Sequence, residues 1–260
     1  MYLRREEYET MPVRRYGAGE DSWQDDTRAT SIEQLLKVEV NGELLTEALC
    51  SPGHQLDLAV GMAVQRGLVR SMADIADLEL IDGTARLSLT ALAAVRSRRG
   101  EETPRYYNLS RLRAWQGRGE AGEGARVQAR AALQTADKLL GELAVTHART
   151  NGVHSGVLYD SKSDRIMVFR EDIGRHNVFD KLCGWAFRQG VPLQDKLLVF
   201  SGRCSTEMVL KLWRMDCRMV LAKSVPTTLS LEMADKLGIT LMGRLTREGF
   251  SVYTHDRRVI

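Results

Sequence analysis

From residue 165 to residue 243, short apolar runs alternate with segments of helical spacing. This rhythm constrains the fold more than any single motif. Strands are expected near 165–170, 197–200, 218–222 and 239–243, with helices at 178–189, 205–215 and 228–237 between them. Strands joined through helices cannot pair as tight hairpins. They lie mainly parallel, and the helices cover the sheet. Gly190 and Gly238 stand where helix C-caps belong. An amphipathic helix over 126–144, with Ala132, Ala136, Leu139 and Leu143 on one stripe, precedes this pattern. A strand near 156–160 and a last strand from Phe250 to Thr254 complete it.

Such a sheet predicts where a ligand sits. In open α/β sheets, ligands lie outside the carboxyl ends of the strands. Three strand-to-helix loops should meet there: 171–177, Ser201-Gly202-Arg203-Cys204-Ser205 and Lys223-Ser224-Val225-Pro226-Thr227. They bring Arg175, His176, Asn177, Ser201, Arg203, Ser205, Lys223, Ser224 and Thr227 to one edge. Each loop runs into a helix N-terminus, whose free amides favour anions. Gly174 and Gly202 are expected to let the backbone approach a ligand closely. The stretch 171–181 is the densest in charge, carrying Glu171, Asp172, Arg175, His176, Asp180 and Lys181 between a buried strand and a helix. Charge is costly there unless it is partnered or binds something. The constellation suits a phosphate-bearing molecule such as a nucleotide or a large pterin cofactor.

The first half reads as a small α+β unit. Asn41-Gly42 is a tight-turn signal after Val38-Glu39-Val40. Leu56 to Val69 has helical spacing, and 78–81 with 85–89 form a hairpin around Asp82-Gly83. Residues 96–118 carry seven arginines, and 117–124 are too glycine-rich to pack. Two domains are therefore expected: 1–124, α+β with an arginine- and glycine-rich loop, and 125–260, a cofactor-binding domain. A net charge of +3 gives no case for nucleic acid. Neither a signal peptide nor a membrane span is legible, and four dispersed cysteines suggest reduced thiols, so a cytoplasmic protein is expected.

Each candidate also has a plainer reading. His176 also reads as a hydrogen-bonded helix cap, Arg203 as a partner of Glu207 or Asp172, and Lys223 as a solvated charge. His154 fits a structural role as well as a binding one. Cys183 and Cys217 fall in apolar settings and read as buried and inert. Cys204 opens a helix in the anion loop, where a thiolate is favoured. The zinc-deaminase signature, a Walker A motif and a dinucleotide glycine fingerprint are absent from the sequence, which argues against metal-dependent deamination, ATP hydrolysis and nicotinamide chemistry.

With these residues in view, the chain resembles the FdhD family of formate dehydrogenase accessory sulfurtransferases. The resemblance runs from Met11-Pro12-Val13-Arg14-Arg15-Tyr16 through Val40-Asn41-Gly42 and Pro52-Gly53 to Asp57-Leu58-Ala59-Val60-Gly61. It is strongest at Gly152-Val153-His154, at Glu171 to Asn177 with Asp180-Lys181, at Ser201-Gly202-Arg203 with Glu207-Met208, and at Lys223 to Thr227. The ending, from Gly243 to Tyr253-Thr254, also fits.

The resemblance implies a protein that takes sulfur from a cysteine desulfurase as a persulfide. It passes that sulfur to the molybdenum or tungsten of a bis-molybdopterin guanine dinucleotide cofactor bound for formate dehydrogenase. It also implies a larger domain like that of cytidine deaminases, with helices on both faces of the sheet, and a homodimer. His154, Arg175, His176, Asn177, Ser201, Gly202, Arg203, Lys223, Ser224 and Thr227 are then expected to hold the cofactor, and a GDP-like fragment of it should bind. Arg244, Leu245, Thr246, Arg247, Glu248 and Gly249 join them by resemblance, although the family usually has an aromatic residue where Arg244 stands. The family's Cys-Gly-x-Cys pair follows an Arg-aromatic-Tyr segment, matched here by Arg105-Tyr106-Tyr107, and falls on Leu112 and Trp115. Neither can form a persulfide, which leaves Cys204 as the candidate thiol by position. The alternatives are a non-catalytic cofactor chaperone and an unrelated nucleotide-modifying enzyme.

Overall fold

The computed structural model describes residues 7–98 and 125–260. The expected domain boundary, the glycine-rich stretch, most of the arginine-rich stretch and the positions Arg105 to Trp115 lie outside the described residues.

The chain opens with a two-stranded ribbon, β1 (Tyr8–Gly17) and β2 (Ser22–Ser31), in continuous antiparallel register. Residue periodicity does not reveal it, because most positions on both strands are exposed and charged residues mask any alternation. A four-stranded sheet follows, in the order β4-β3-β6-β5. Its strands are β3 (Gln34–Val40), β4 (Glu43–Cys50), β5 (Ile75–Ile81) and β6 (Thr84–Leu89). Both expected tight turns are present: Asn41-Gly42 and Asp82-Gly83 have positive φ at both residues, as a type I′ turn requires. Helix α1 (Gln55–Gln65) packs Leu58, Val60 and Ala63 against Leu36, Val38, Ala85 and Leu87 of the sheet. It ends four residues before the expected Val69. Helix α2 (Ala91–Arg98) ends inside the first residues of the arginine-rich stretch.

The second half is built on a six-stranded sheet in the order β12-β11-β10-β9-β7-β8. Its strands are β7 (His154–Asp160), β8 (Arg165–Asp172), β9 (Lys196–Phe200), β10 (Met219–Ala222), β11 (Thr240–Gly243) and β12 (Ser251–Val252). Strands β9, β10 and β11 are parallel. Strand β7 runs antiparallel to both neighbours, so β8 points the same way as β9. The sheet is mixed: four strands share one direction, while β7 and β12 oppose it.

Helices α5 (Arg175–Arg188), α6 (Thr206–Arg214) and α7 (Thr228–Lys236) cover one face. Leu198 and Phe200 of β9 point to them, with Phe179, Leu182, Met208 and Met233. Leu197 and Val199 point to the other face, where α3 (Ala129–Lys138) supplies Ala132 and Ala136. The expected helix 126–144 is interrupted. After α3 the chain widens into a π turn over Leu139–Leu143, which contains the poor helix former Gly141, and α4 (Val145–Thr150) starts afresh.

The two sheets are joined through α1 and α5, which cross at glycines. A Cβ on Gly61 would collide with the Asp180 carbonyl, and one on Gly184 with the Asp57 carbonyl. The crossing is lined by buried charge. Arg170 and Arg188 both reach Asp57, at 2.7 and 2.6 Å, and Lys211 pairs with Asp180. Among the described residues, no helix is long and apolar enough to cross a membrane.

Candidate functional site

The shared direction of β8, β9, β10 and β11 puts their carboxyl ends on one edge, together with the start of antiparallel β7. Backbone hydrogen bonds lace the loops there. Ser224 N–H donates to Gly202 O at 3.4 Å, Arg244 N–H to Ser224 O at 3.4 Å, and Leu245 N–H to Lys223 O at 3.0 Å. Ser201 and Ser155 are tied by a Ser201 N–H to Ser155 O bond at 2.9 Å and a Ser155 N–H to Ser201 Oγ bond at 2.8 Å. The 201–205 and 223–227 loops therefore meet as expected and the 244–249 turn closes the row, while the 171–177 loop stands beyond the start of β7 on the same edge. Within that turn Thr246 N–H donates to Gly249 O at 2.8 Å and Glu248 N–H to Thr246 Oγ1 at 3.2 Å.

The 171–181 cluster splits in two. Its inward part is framework. Asp172 and Lys181 are fully buried and paired at 2.6 Å. Asp172 also accepts from Ser51 N–H at 3.2 Å, Gly174 N–H at 2.9 Å and the Asn177 side-chain amide at 2.8 Å. Lys181 donates to Ser51 O and Glu171 O. Glu171 accepts from Thr146 N–H, His147 N–H and Ser155 Oγ. Asn177, expected on the cofactor, spends both amide hydrogens inside the protein, on Asp172 and on Leu49 O at 2.8 Å. Its side chain binds the two sheets together instead.

The glycines carry a similar correction. The space beside Gly174 is filled by the Asn177 amide, 2.8 Å from where a Cβ would stand, and that beside Gly202 by the Phe200 ring at 2.6 Å. Both are small so that neighbours can pack, which explains them without a ligand. Thr227 caps α7 in a reciprocal box with Ser230, and Leu245 is half-buried against the α3 face of the sheet.

What remains outward is cationic. Arg175, Arg203, Lys223, Arg244 and Arg247 are all exposed, as are Ser224, Thr246 and Glu248. None of these five cations forms an ion pair among the described residues. The plainer reading of Arg203 fails: Glu207 sits 3.1 Å from His176 Nε2, and Asp172 belongs to Lys181. His176 and His154 are half-buried, and both titrate below the usual range. Burial is the larger cause for each, reinforced by Lys211 for His176 and by Arg175 for His154. Ser205 Oγ, at the start of α6, is buried with no hydrogen-bond partner among the described residues. The Glu207–His176 pairing was not legible in sequence, since 31 positions separate the two.

Cys204 does not fit the thiolate expectation. It is fully buried, and burial pushes its thiol up to about 12. Cys183 and Cys217 are equally buried and pushed up to about 12, chiefly by burial. Burial also raises Cys50. The chain has four cysteines, and all four are buried and free of disulfides.

The comparisons with known proteins agree with this architecture. The FdhD/NarQ family model matches residues 31–260. A sulfur carrier protein FdhD from Geobacillus kaustophilus is 36% identical over 264 residues, covering 96% of each chain. One from Shouchella clausii is 33% identical, covering 94% of each. A solved structure assigned as a formate dehydrogenase accessory protein, from Desulfotalea psychrophila, superposes with a TM-score of 0.78 over 97% of this chain and 99% of its own, at 17% identity. The chain belongs to the FdhD/NarQ family.

Proposed function

We propose that this protein assists formate dehydrogenase maturation by holding the bis-molybdopterin guanine dinucleotide cofactor, with its molybdenum or tungsten, during sulfuration and insertion. The reading rests on one observation: five exposed cations without ion-pair partners among the described residues line one sheet edge. Arg175 and Arg203 are suited to grip phosphates in a bidentate manner, while Lys223 adds a point charge. The amides at the starts of α5, α6 and α7 add anion donors. The unpartnered Ser205 hydroxyl is a further donor at the same edge. These groups fit a guanine dinucleotide, whose charge lies on its diphosphates. The six-stranded unit then serves as a cytidine-deaminase-like scaffold without the zinc signature. A cysteine desulfurase, a formate dehydrogenase and a second copy of the chain are the partners this role calls for.

The melting temperature with and without GDP tests the site. At a hundred times its dissociation constant a ligand stabilises by about 2.7 kcal/mol. An absent shift at millimolar GDP sinks the reading.

The buried cysteines favour a second reading, in which the protein holds the cofactor but carries no sulfur on its own thiols. A persulfide carrier needs an accessible, ionisable thiol, and none of the four qualifies. Intact mass spectrometry after incubation with a desulfurase and cysteine separates the two readings. No added sulfur is expected, and formate dehydrogenase activity should be restored in a deletion strain by a variant with all four cysteines changed to serine. A sulfur gain that vanishes in Cys204→Ser would return that thiol to the mechanism.

A further inference from the structure

Among the described residues, nine other than glycine have positive φ. Eight are Asp, Asn or His, the types that tolerate the left-handed region best. The ninth is Arg244, at φ 54. The backbone there has a structural use. Its reversal after β11 brings Arg244 N–H to Ser224 O and Leu245 N–H to Lys223 O, which ties the 244–249 turn to the neighbouring loop. The residue type has no such use. Glycine or asparagine would make the same two bonds with less crowding. The Arg244 side chain is exposed and forms no ion pair or hydrogen bond among the described residues. An unfavourable backbone kept under a long side chain that the protein does not itself use points to function.

The turn differs from the three strand-to-helix loops on the same edge. Those run into α5, α6 and α7, whose free amides suit phosphates. The 244–249 turn runs into strand β12 and offers no helix start. It also carries an anion. Glu248 is exposed and forms no ion pair among the described residues, although it shares the edge with five cations. The Thr246 hydroxyl, and then its own backbone amide, hold its carboxyl below the usual carboxylate range, so it is ionised at neutral pH. A carboxylate repels phosphate, which makes this turn a poor place for a further phosphate grip. A fork of donors close to an acceptor suits a group that presents both acceptors and donors.

We propose that Arg244 and Glu248 read the guanine base and so set the specificity of the edge. Guanine presents the acceptors O6 and N7 side by side, which match a guanidinium fork. Its N1–H and 2-amino group, on the adjoining side, match a carboxylate. Adenine presents an amino donor where guanine has O6, and an acceptor at N1, so both contacts turn unfavourable. The inference rests on the cationic edge holding a guanine dinucleotide. Arg175, Arg203 and Lys223 then serve the phosphates, and strand order sets the turn at the end of β11, one strand and about 4.8 Å beyond the 223–227 loop.

The test is titration calorimetry on the full chain with GDP, ADP and inorganic diphosphate. GDP should bind at least about ten-fold more tightly than ADP. Arg244→Asn, which tolerates the left-handed backbone, should weaken GDP by about ten-fold but ADP and diphosphate by no more than about three-fold. The melting temperature without ligand should be unchanged or higher. Glu248→Ala should weaken GDP by about ten-fold and leave ADP and diphosphate as tight or tighter, because a repelling charge is gone. Equal affinity for GDP and ADP overturns the inference and leaves the edge as a phosphate site. Equal losses for all three ligands in Arg244→Asn also overturn it, since Arg244 is then one more phosphate contact. So does a melting temperature lowered by more than about 4 °C, which makes Arg244 structural. Failure of both GDP and diphosphate to bind sinks the cofactor site itself, and the base reading with it.

Discussion

Two sets of charges flank the same strand ends and behave in opposite ways. Asp172, Lys181, Asp57, Arg170, Asp180 and Lys211 are buried, and each has a partner of opposite charge. Arg175, Arg203, Lys223, Arg244 and Arg247 are exposed, and none has such a partner among the described residues. Arg175 is only three residues from Asp172. The difference lies in what covers them: residues 49–57 and α1 close over the first set, while nothing described closes over the second. Buried charge must be satisfied from within and so becomes architecture. Exposed like charge at the strand ends costs little alone and is available to an anion.

Breaking the inner set should have the largest effect. Lys181→Ala leaves Asp172 buried and uncompensated, which costs about 3–5 kcal/mol. The urea midpoint should collapse, and a loss under about 1 kcal/mol would show the pair to be dispensable. Gly184→Ala should come next. Its methyl meets the Asp57 carbonyl, so the helices must part, at about 1–3 kcal/mol. An unchanged melting curve would contradict the close crossing.

Acidification should act more gently, through half-buried His154 and His176 and the more exposed His54. His54 is pushed down to about 4, chiefly by burial and then by Arg170; His154 and His176 are lowered too. Their folded values lie below the unfolded one of about 6.5, so the unfolded chain binds more protons below that pH. Stability is then complete above about pH 6.5 and declines as pH falls towards 4. His54→Asn, which keeps a residue tolerant of the left-handed backbone there (φ 60), should flatten part of that slope in denaturation curves at about pH 7.5 and 5. An equally steep slope would exclude His54 as a cause.

The smallest stability effect belongs to the outer set. Arg203→Ala with Lys223→Ala should shift stability by no more than about 0.5 kcal/mol, while the thermal shift with GDP largely disappears. A double variant that unfolds easily would erase the contrast between the two sets.

Local signals were legible in the chain itself. The strand–helix alternation, the turns at Asn41-Gly42 and Asp82-Gly83 and the edge where the loops meet depend on residue periodicity and on φ preferences, which act within a few positions. The family motifs likewise needed no coordinates. The β1–β2 ribbon was not legible, because a mostly exposed ribbon has no apolar alternation to read. Nor was the reversed sense of β7, since pairing direction is decided by what the strand meets.

Division of labour within the motifs was beyond reach for the same reason. Asn177 meets Leu49 and Asp172 meets Ser51 across more than a hundred residues, and those contacts make them frame. Arg175, between them in sequence, meets no such partner among the described residues and stays outward. Cys204 reads as a reactive thiol from its loop, and only the packing of the large core decides that its sulfur is buried. Residue type and spacing set which groups are present and which elements carry them. Whether a charge is satisfied within the protein or left for a ligand depends on desolvation and on distant partners, and both exist only once the chain has folded.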